Sequence, residues 1–388
     1  MKRFAILLIF VFFLTGCKER IYTKIPSDVV INFKETTFSV YSSQKLSDIV
    51  SESNVELIDQ EINTNSLGTY ELIYYFNYNN KKYQSSFSYS VVDDENPKIF
   101  GSKSKTVVVN YKGDPCNLVT YGDNYDAEPK CVVSGEYDLD KTGTYPIEIS
   151  VSDSSENSAS FNLTLNVVNS NSNSKSTTST KKLQFSDAYK TYKKSNNELG
   201  IDVSKWQGDI DFTEVKNAGV SFVIIRIGVK LNSGEEPNLD SYFLQNIKNA
   251  KEAGLKVGVY LYSKSLSVNE AQQEAEWVLN ALGDESLDLP IVFDWEIWSG
   301  WNSYHLSFHD LNEMAHVFIN TVEAKGYKGM LYSSKFYLEN FWDDSFGDIW
   351  LAHYVNNTSY SGYKIWQFSN VGRIPGINGD VDLDIMVN

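Results

Sequence analysis

The sequence predicts a multidomain protein in which two small all-β modules precede an irregular parallel (β/α) barrel. Three observations lead there: a repeated pair of alternating apolar runs in the first half, a polar low-complexity stretch in the middle, and strand-like segments alternating with helical periods from residue 200 onward. At 388 residues, with 42% hydrophobic and 14% aromatic content, the chain has enough apolar surface for several filled cores.

The N-terminus carries Lys2 and Arg3, an apolar run, and then Leu14, Thr15, Gly16 and Cys17. A membrane-spanning helix needs roughly 20 apolar residues, so a shorter run behind two cations reads as an export signal. Residues 14 to 17 resemble the lipobox of bacterial lipoproteins, which implies a signal peptide over 1–17, lipid attachment at Cys17, and a mature chain held on the extracytoplasmic side of the cell membrane. Cys116 and Cys131 then remain as a pair, and in an exported chain a disulfide between them is expected. The four histidines show no HExxH spacing and the cysteines no CxxC, so neither a metal nor another cofactor is expected. The formal charge of −16, without a basic stripe, excludes a nucleic-acid partner. The chain is expected to act as a monomer.

The repeat is LGTYELIYYF from Leu67 and TGTYPIEISV from Thr142, each followed by a polar turn and a second alternating run. That pattern makes a β-hairpin with one buried face, used twice. The modules span 18–95 and 96–168, joined by the Pro-marked segment 93–99, and they resemble the immunoglobulin-like sandwich repeats of bacterial surface proteins. Residues 169–197 are read as a flexible linker, its first part almost purely polar, with too little apolar surface to offset ordering entropy.

From 198 to 388 the strands are expected at 200–206, 221–229, 256–263, 289–296, 329–334, 348–354, 364–369 and 381–387, with helices over 239–254, 267–283 and 309–326. Strand, helix and strand in alternation imply a parallel sheet, and this many strands in so short a chain imply a closed barrel. Little between the last three strands could be helix, so the barrel is irregular.

Asp294 and Glu296 end the apolar run LPIVFDWE. Side chains two apart on a strand share a face, with Cα atoms roughly 6.5 Å apart, and strand C-termini form the mouth of a parallel barrel. Two acids in one pocket raise each other's pKa and provide a proton donor beside a base. Asp202 and Asp382 fall on the first and last strands, which a closed barrel makes neighbours. Four acids at one mouth suit glycoside hydrolysis through an oxocarbenium-like transition state. Trp295, between two of the acids, should face away from them.

The ordered motifs GIDVSKWQG (200–208), GVYLYS (258–263), LPIVFDWE (289–296), WLAHY (350–354), IWQFS (365–369) and GDVDLD (379–384) resemble the family 25 glycoside hydrolases, the Chalaropsis-type lysozymes. The resemblance covers 198–388 and implies a TIM-like barrel of eight strands and about five helices. It implies N-acetylmuramidase activity on the β-1,4 bond between N-acetylmuramic acid and N-acetylglucosamine in peptidoglycan. Glu296 then resembles the general acid, Asp294 the group assisting the 2-acetamido substituent, and Asp202 and Asp382 acids of the same site. Tyr262 and Tyr354 fall in motifs that hold the sugar, and Trp206, Gln207, Tyr260 and Trp366 are further candidates for substrate contact. Asp384 stands where the family often has Asn, and Leu261 where a polar residue is common. A catalytically silent glycan-binding or adhesive lipoprotein is the alternative reading.

Overall fold

The computed structural model describes residues 20–169 and 181–387. The signal peptide expected over 1–17, with Cys17, and the polar residues 170–180 lie outside the described residues. The chain divides into two compact units, Met1–Asp94 and Glu95–Asn388.

In the first unit Gly68–Tyr78 and Lys81–Val92 form the expected hairpin. Asn79 and Asn80 turn it with φ of 50° and 58°, the left-handed pair that matches the twist of two adjoining strands. Tyr74, Phe76, Tyr83 and Tyr89 alternate onto its buried face.

In the second unit the hairpin Gly143–Ser152 and Ser158–Val168 is flanked by Ser104–Val108 and Lys130–Ser134 in a four-stranded sheet. Ile149, Val151, Leu163 and Leu165 fill its inner face, and the two-stranded ribbon of Lys98–Phe100 with Thr120–Gly122 adds Ile99 and Tyr121 to that core. A disulfide joins Cys116 to Cys131.

The barrel strands are β1 (Asn197–Val203), β2 (Phe222–Val229), β3 (Lys256–Ser263), β4 (Ile291–Trp295), β5 (Gly329–Ser334), β6 (Ile349–Ala352), β7 (Ile365–Arg373) and β8 (Val381–Val387). The first seven run parallel in that order, and β8 closes the barrel by pairing antiparallel with both β7 and β1. Five helices follow the strands: Phe212–Asn217, Phe243–Glu252, Val268–Leu282, Phe308–Glu323 and Lys335–Leu338. None lies between β6 and β8, hence the irregularity.

Residue parity separates two layers. Val223, Ile225 and Ile227, Phe293 and Trp295, and Trp366 and Phe368 face outward into the core beneath the helices. Phe222, Ile224, Val292, Met330, Ile365 and Met386 face inward and plug the lower barrel. Gly200 belongs to that interior, where a Cβ would stand 2.3 Å from the Phe222 ring, so the missing side chain is what admits the phenyl group.

One expectation requires correction. The linker over 169–197 does not extend to its stated end: Leu183–Gln184 pairs with β7, and the helix Phe185–Tyr192 buries Phe185 and Ala188 against the barrel. Apolar residues at helical spacing, not the polar tract before them, decide the structure there. The module at 96–168 belongs to the same compact unit as the barrel.

Candidate active site

The upper interior of the barrel opens into a cavity of about 430 Å³ lined by Asp202, Arg226, Tyr260, Tyr262, Asp294, Glu296, Tyr332, Trp350, Tyr354, Gln367, Asn370 and Asp382. Strand parity explains the set. Arg226 continues the inward series of Phe222 and Ile224, Asp294 continues that of Val292, Tyr332 follows Met330, and Gln367 follows Ile365. The barrel therefore changes from an apolar floor to a polar, aromatic mouth along each strand.

The acids occupy different depths. Asp202 and Asp294 are buried, whereas Glu296, one residue beyond the end of β4, is exposed at the mouth. Asp202 and Asp382 are direct partners across the antiparallel pairing of β1 with β8. Tyr262 and Tyr332 flank Asp294 on the two neighbouring strands.

Gln367 organises the floor. Its amide donates to Asp202 Oδ2 at 2.8 Å, and its Oε1 accepts from the hydroxyls of Tyr332 and Tyr354, each at 2.9 Å. Beneath it, the Trp350 indole donates to Asp384 Oδ1 at 2.8 Å. Arg226 turns to Asp240, whose Oδ2 accepts from Nε at 2.8 Å and lies 2.6 Å from a terminal nitrogen as an ion pair, so the guanidinium is fixed while leaving its positive field in the cavity.

Burial raises the carboxyl groups of Asp202, Asp294, Glu296, Asp382 and Asp384. Asp294 is pushed well up by desolvation, then by the charges of Glu296 and Asp202, with Arg226 opposing. Asp202 is raised by desolvation and by Asp384 beside it, and Asp382 and Asp384 are each pushed up to about 8, chiefly by burial. Glu296 is raised by partial burial, while the Tyr332 hydroxyl against it acts in the opposite sense. Asp294 and Glu296 titrate as a pair and hold a proton between them well above the ordinary carboxylate range. Burial pushes the Tyr262 hydroxyl up to about 12, so it remains a hydrogen-bond donor.

Of the residues singled out from sequence, Glu296, Asp294, Asp202, Asp382, Tyr260, Tyr262 and Tyr354 meet in this cavity. Three others do not line it. Trp366 points to the outer layer, where its indole donates to the His353 carbonyl at 2.8 Å, because its neighbour Gln367 takes the inward position. Gln207 closes a capping box with Ser204 and donates to the Asp380 carbonyl. Trp206 lies on the turn after β1, 77% exposed, with the Lys205 ammonium over its ring. Trp295 faces outward as expected, its indole donating to Ser265 O at 2.9 Å. Sequence reasoning did not single out Arg226, Tyr332, Trp350, Gln367 or Asn370 as site residues. A lone cation inside the apolar run FVIIRIGV was the available signal for the first.

The family model for glycosyl hydrolases family 25 matches residues 201–377. The chain is 33% identical over 190 residues to the autolytic lysozyme of Clostridium acetobutylicum, an alignment covering 48% of this chain and 54% of that protein. It is 30% identical over 194 residues to the uncharacterized protein YegX of Escherichia coli O6:H1, covering 48% of this chain and 68% of the relative. A solved bacterial lysozyme from Streptomyces coelicolor is 27% identical, with a TM-score of 0.42 and coverage of 49% and 92%. The chain thus spans about half the length of the Clostridium lysozyme. Through the barrel that holds these acids, the chain belongs to glycosyl hydrolases family 25.

Proposed function

We propose that the chain is a peptidoglycan hydrolase, an N-acetylmuramidase that cleaves the β-1,4 bond between N-acetylmuramic acid and N-acetylglucosamine. The observation that carries this reading is the placement of Asp294 and Glu296 at the end of one strand, in a cavity shared with Asp202 and Asp382. Family membership and the likeness to a lysozyme of Clostridium acetobutylicum support it.

In the reactive protonation state the proton shared by the pair is on Glu296 and Asp294 is ionised; Glu296, at the mouth, donates it to the glycosidic oxygen as the bond to the anomeric carbon breaks. Asp294, deeper in the cavity, accepts from the N–H of the 2-acetamido group and steadies it while its carbonyl oxygen attacks the anomeric carbon. The resulting cyclic cation is then opened by a water that returns its proton to Glu296, so configuration is retained. Raised pKa values in the acidic mouth keep a proton available near neutral pH. Tyr260, Tyr262 and Tyr354 offer ring faces and hydroxyls to the sugars, and the exposed Trp206 offers a stacking surface outside the cavity.

The sequence at residues 14 to 17 supports export and attachment to a membrane by a lipid on Cys17. The two β modules, whose hairpins support the immunoglobulin-like reading, would then come between that anchor and the barrel in chain order. Digestion of purified peptidoglycan with identification of the new reducing ends tests the bond assignment. Muramic acid ends are expected, and glucosamine ends would refute it.

A further inference from the structure

The segment after Glu296 has little regular structure of its own. Ile297 leads into a 3-10 turn, Trp298–Ser303, and an irregular stretch before the helix Phe308–Glu323. What it rests on is the second β module. The Asn302 amide donates to the Val119 carbonyl at 2.8 Å and accepts from the Tyr121 N–H at 3.2 Å, so one side chain pairs with the backbone as an added strand would. The Trp301 indole, buried to 3% exposure, donates to the Tyr121 carbonyl at 2.9 Å. Further along, the carbonyls of Asp123 and Asn124 accept from the first amides of the following helix, Phe308 and His309, at 2.8 and 3.3 Å. Those amides have no partner within their own helix.

Ring packing continues the contact toward the acids. Trp301 stacks on Phe308 with centroids 5.6 Å apart, and Phe100 of the module lies 5.0 Å from Phe341. Trp298 stacks on Tyr337 at 3.7 Å and meets Trp295 edge to face at 4.6 Å. Glu296 therefore sits between Trp295, fixed in the outer core, and Trp298, fixed in the same aromatic cluster. The fit is tight: a Cβ on Gly122 would stand 2.8 Å from the Phe308 ring and 2.9 Å from the Trp301 indole nitrogen.

We infer that the strand Thr120–Gly122 of the second β module positions the segment carrying Glu296, with Asn302 and Trp301 as positioning residues and residues 95–388 as the working catalytic unit. The consequence for catalysis rests on the hydrolase reading above. The module is then part of the enzyme and not a spacer alone.

The test compares the full chain with Asn302→Ala, which cuts the clamp from the barrel side, and Gly122→Ala, which pushes it apart from the module side. Val132→Ala, at a 48% exposed position of the same module away from the contact, is the control. Amide exchange over residues 297–303 and the pH profile of peptidoglycan cleavage are both read. Faster exchange is expected in both variants, with kcat lowered by about tenfold or more, KM little changed, and the alkaline limb moved to lower pH as water reaches Glu296. The control should match the unaltered chain. Unchanged exchange in whichever of the two variants folds would overturn the inference, as would faster exchange with unchanged kcat and pH profile. If the unaltered chain releases no reducing ends, the hydrolase reading fails, and exchange over 297–303 still decides whether the strand holds the segment.

Discussion

Asp202 and Asp382 face each other across the antiparallel seam where the last barrel strand closes on the first. A parallel strand in that place would enter from the opposite end, and Asp382, second in β8, would lie at the barrel floor. The reversed β8 instead delivers Asp382 to the mouth opposite Asp202, with Asp384 one inward position deeper, opposite Gly200. The irregular closure is thus part of how the acidic mouth is assembled.

Asp294→Asn removes the charge beside the acetamido group while keeping the side chain's shape. A fall in kcat of about 10² to 10³ is expected with a much smaller change in KM, because the interaction strengthens only as charge develops. Steady-state kinetics on soluble glycan fragments would show it; a rise in KM alone would mean that Asp294 only binds.

Tyr332→Phe tests the control of the proton donor. Burial raises Glu296, and the Tyr332 hydroxyl lowers it, so removing the hydroxyl leaves the group protonated to higher pH. The alkaline limb of kcat/KM should move upward, with Gln367 still held by Tyr354. A shift to lower pH would contradict the assignment of that limb to Glu296.

Stability should fall as pH rises. Asp384 is raised by burial to about 8, so the folded chain binds its proton more tightly than the unfolded chain does. The contribution is fully present below the unfolded pKa of about 4; between about pH 4 and 8 the unfolded chain releases this proton while the folded chain keeps it, so stability is lost progressively until the folded pKa is passed. Asp384→Asn keeps an acceptor for the Trp350 indole and removes the ionisation. A tenfold change in proton affinity between the folded and unfolded chain corresponds to roughly 1.4 kcal/mol, so the substitution should add at least about 1 kcal/mol at pH 8 and little near pH 4. Urea unfolding at the two pH values would show this.

Gly200→Ala places a methyl group against the Phe222 ring at the barrel floor. Overpacking of this kind costs about 1–3 kcal/mol, so the urea midpoint should drop. A midpoint unchanged within error would mean that Phe222 moves aside freely.

Much of this was legible in the sequence where local pattern and tertiary role agree. Strands at 256–263, 329–334 and 381–387 are found at the expected limits, and the hairpin turn at Asn79 and Asn80 follows from residues suited to positive φ. Facing was harder. Barrel strands are apolar on both sides, so IWQFS does not announce that Gln367 looks in and Trp366 looks out. The helices Phe212–Asn217 and Lys335–Leu338 are too short to show a period. Nor could Asn302 be found, since an asparagine in a polar loop looks solvated until the strand it pairs with is in place.

The most direct measurement is the rate of muramic acid reducing-end release from purified peptidoglycan by the unaltered chain and by Glu296→Gln. Steady release by the former and a loss of about 10² to 10⁴ in the latter are expected if Glu296 is the proton donor. Equal rates from the two proteins would contradict it.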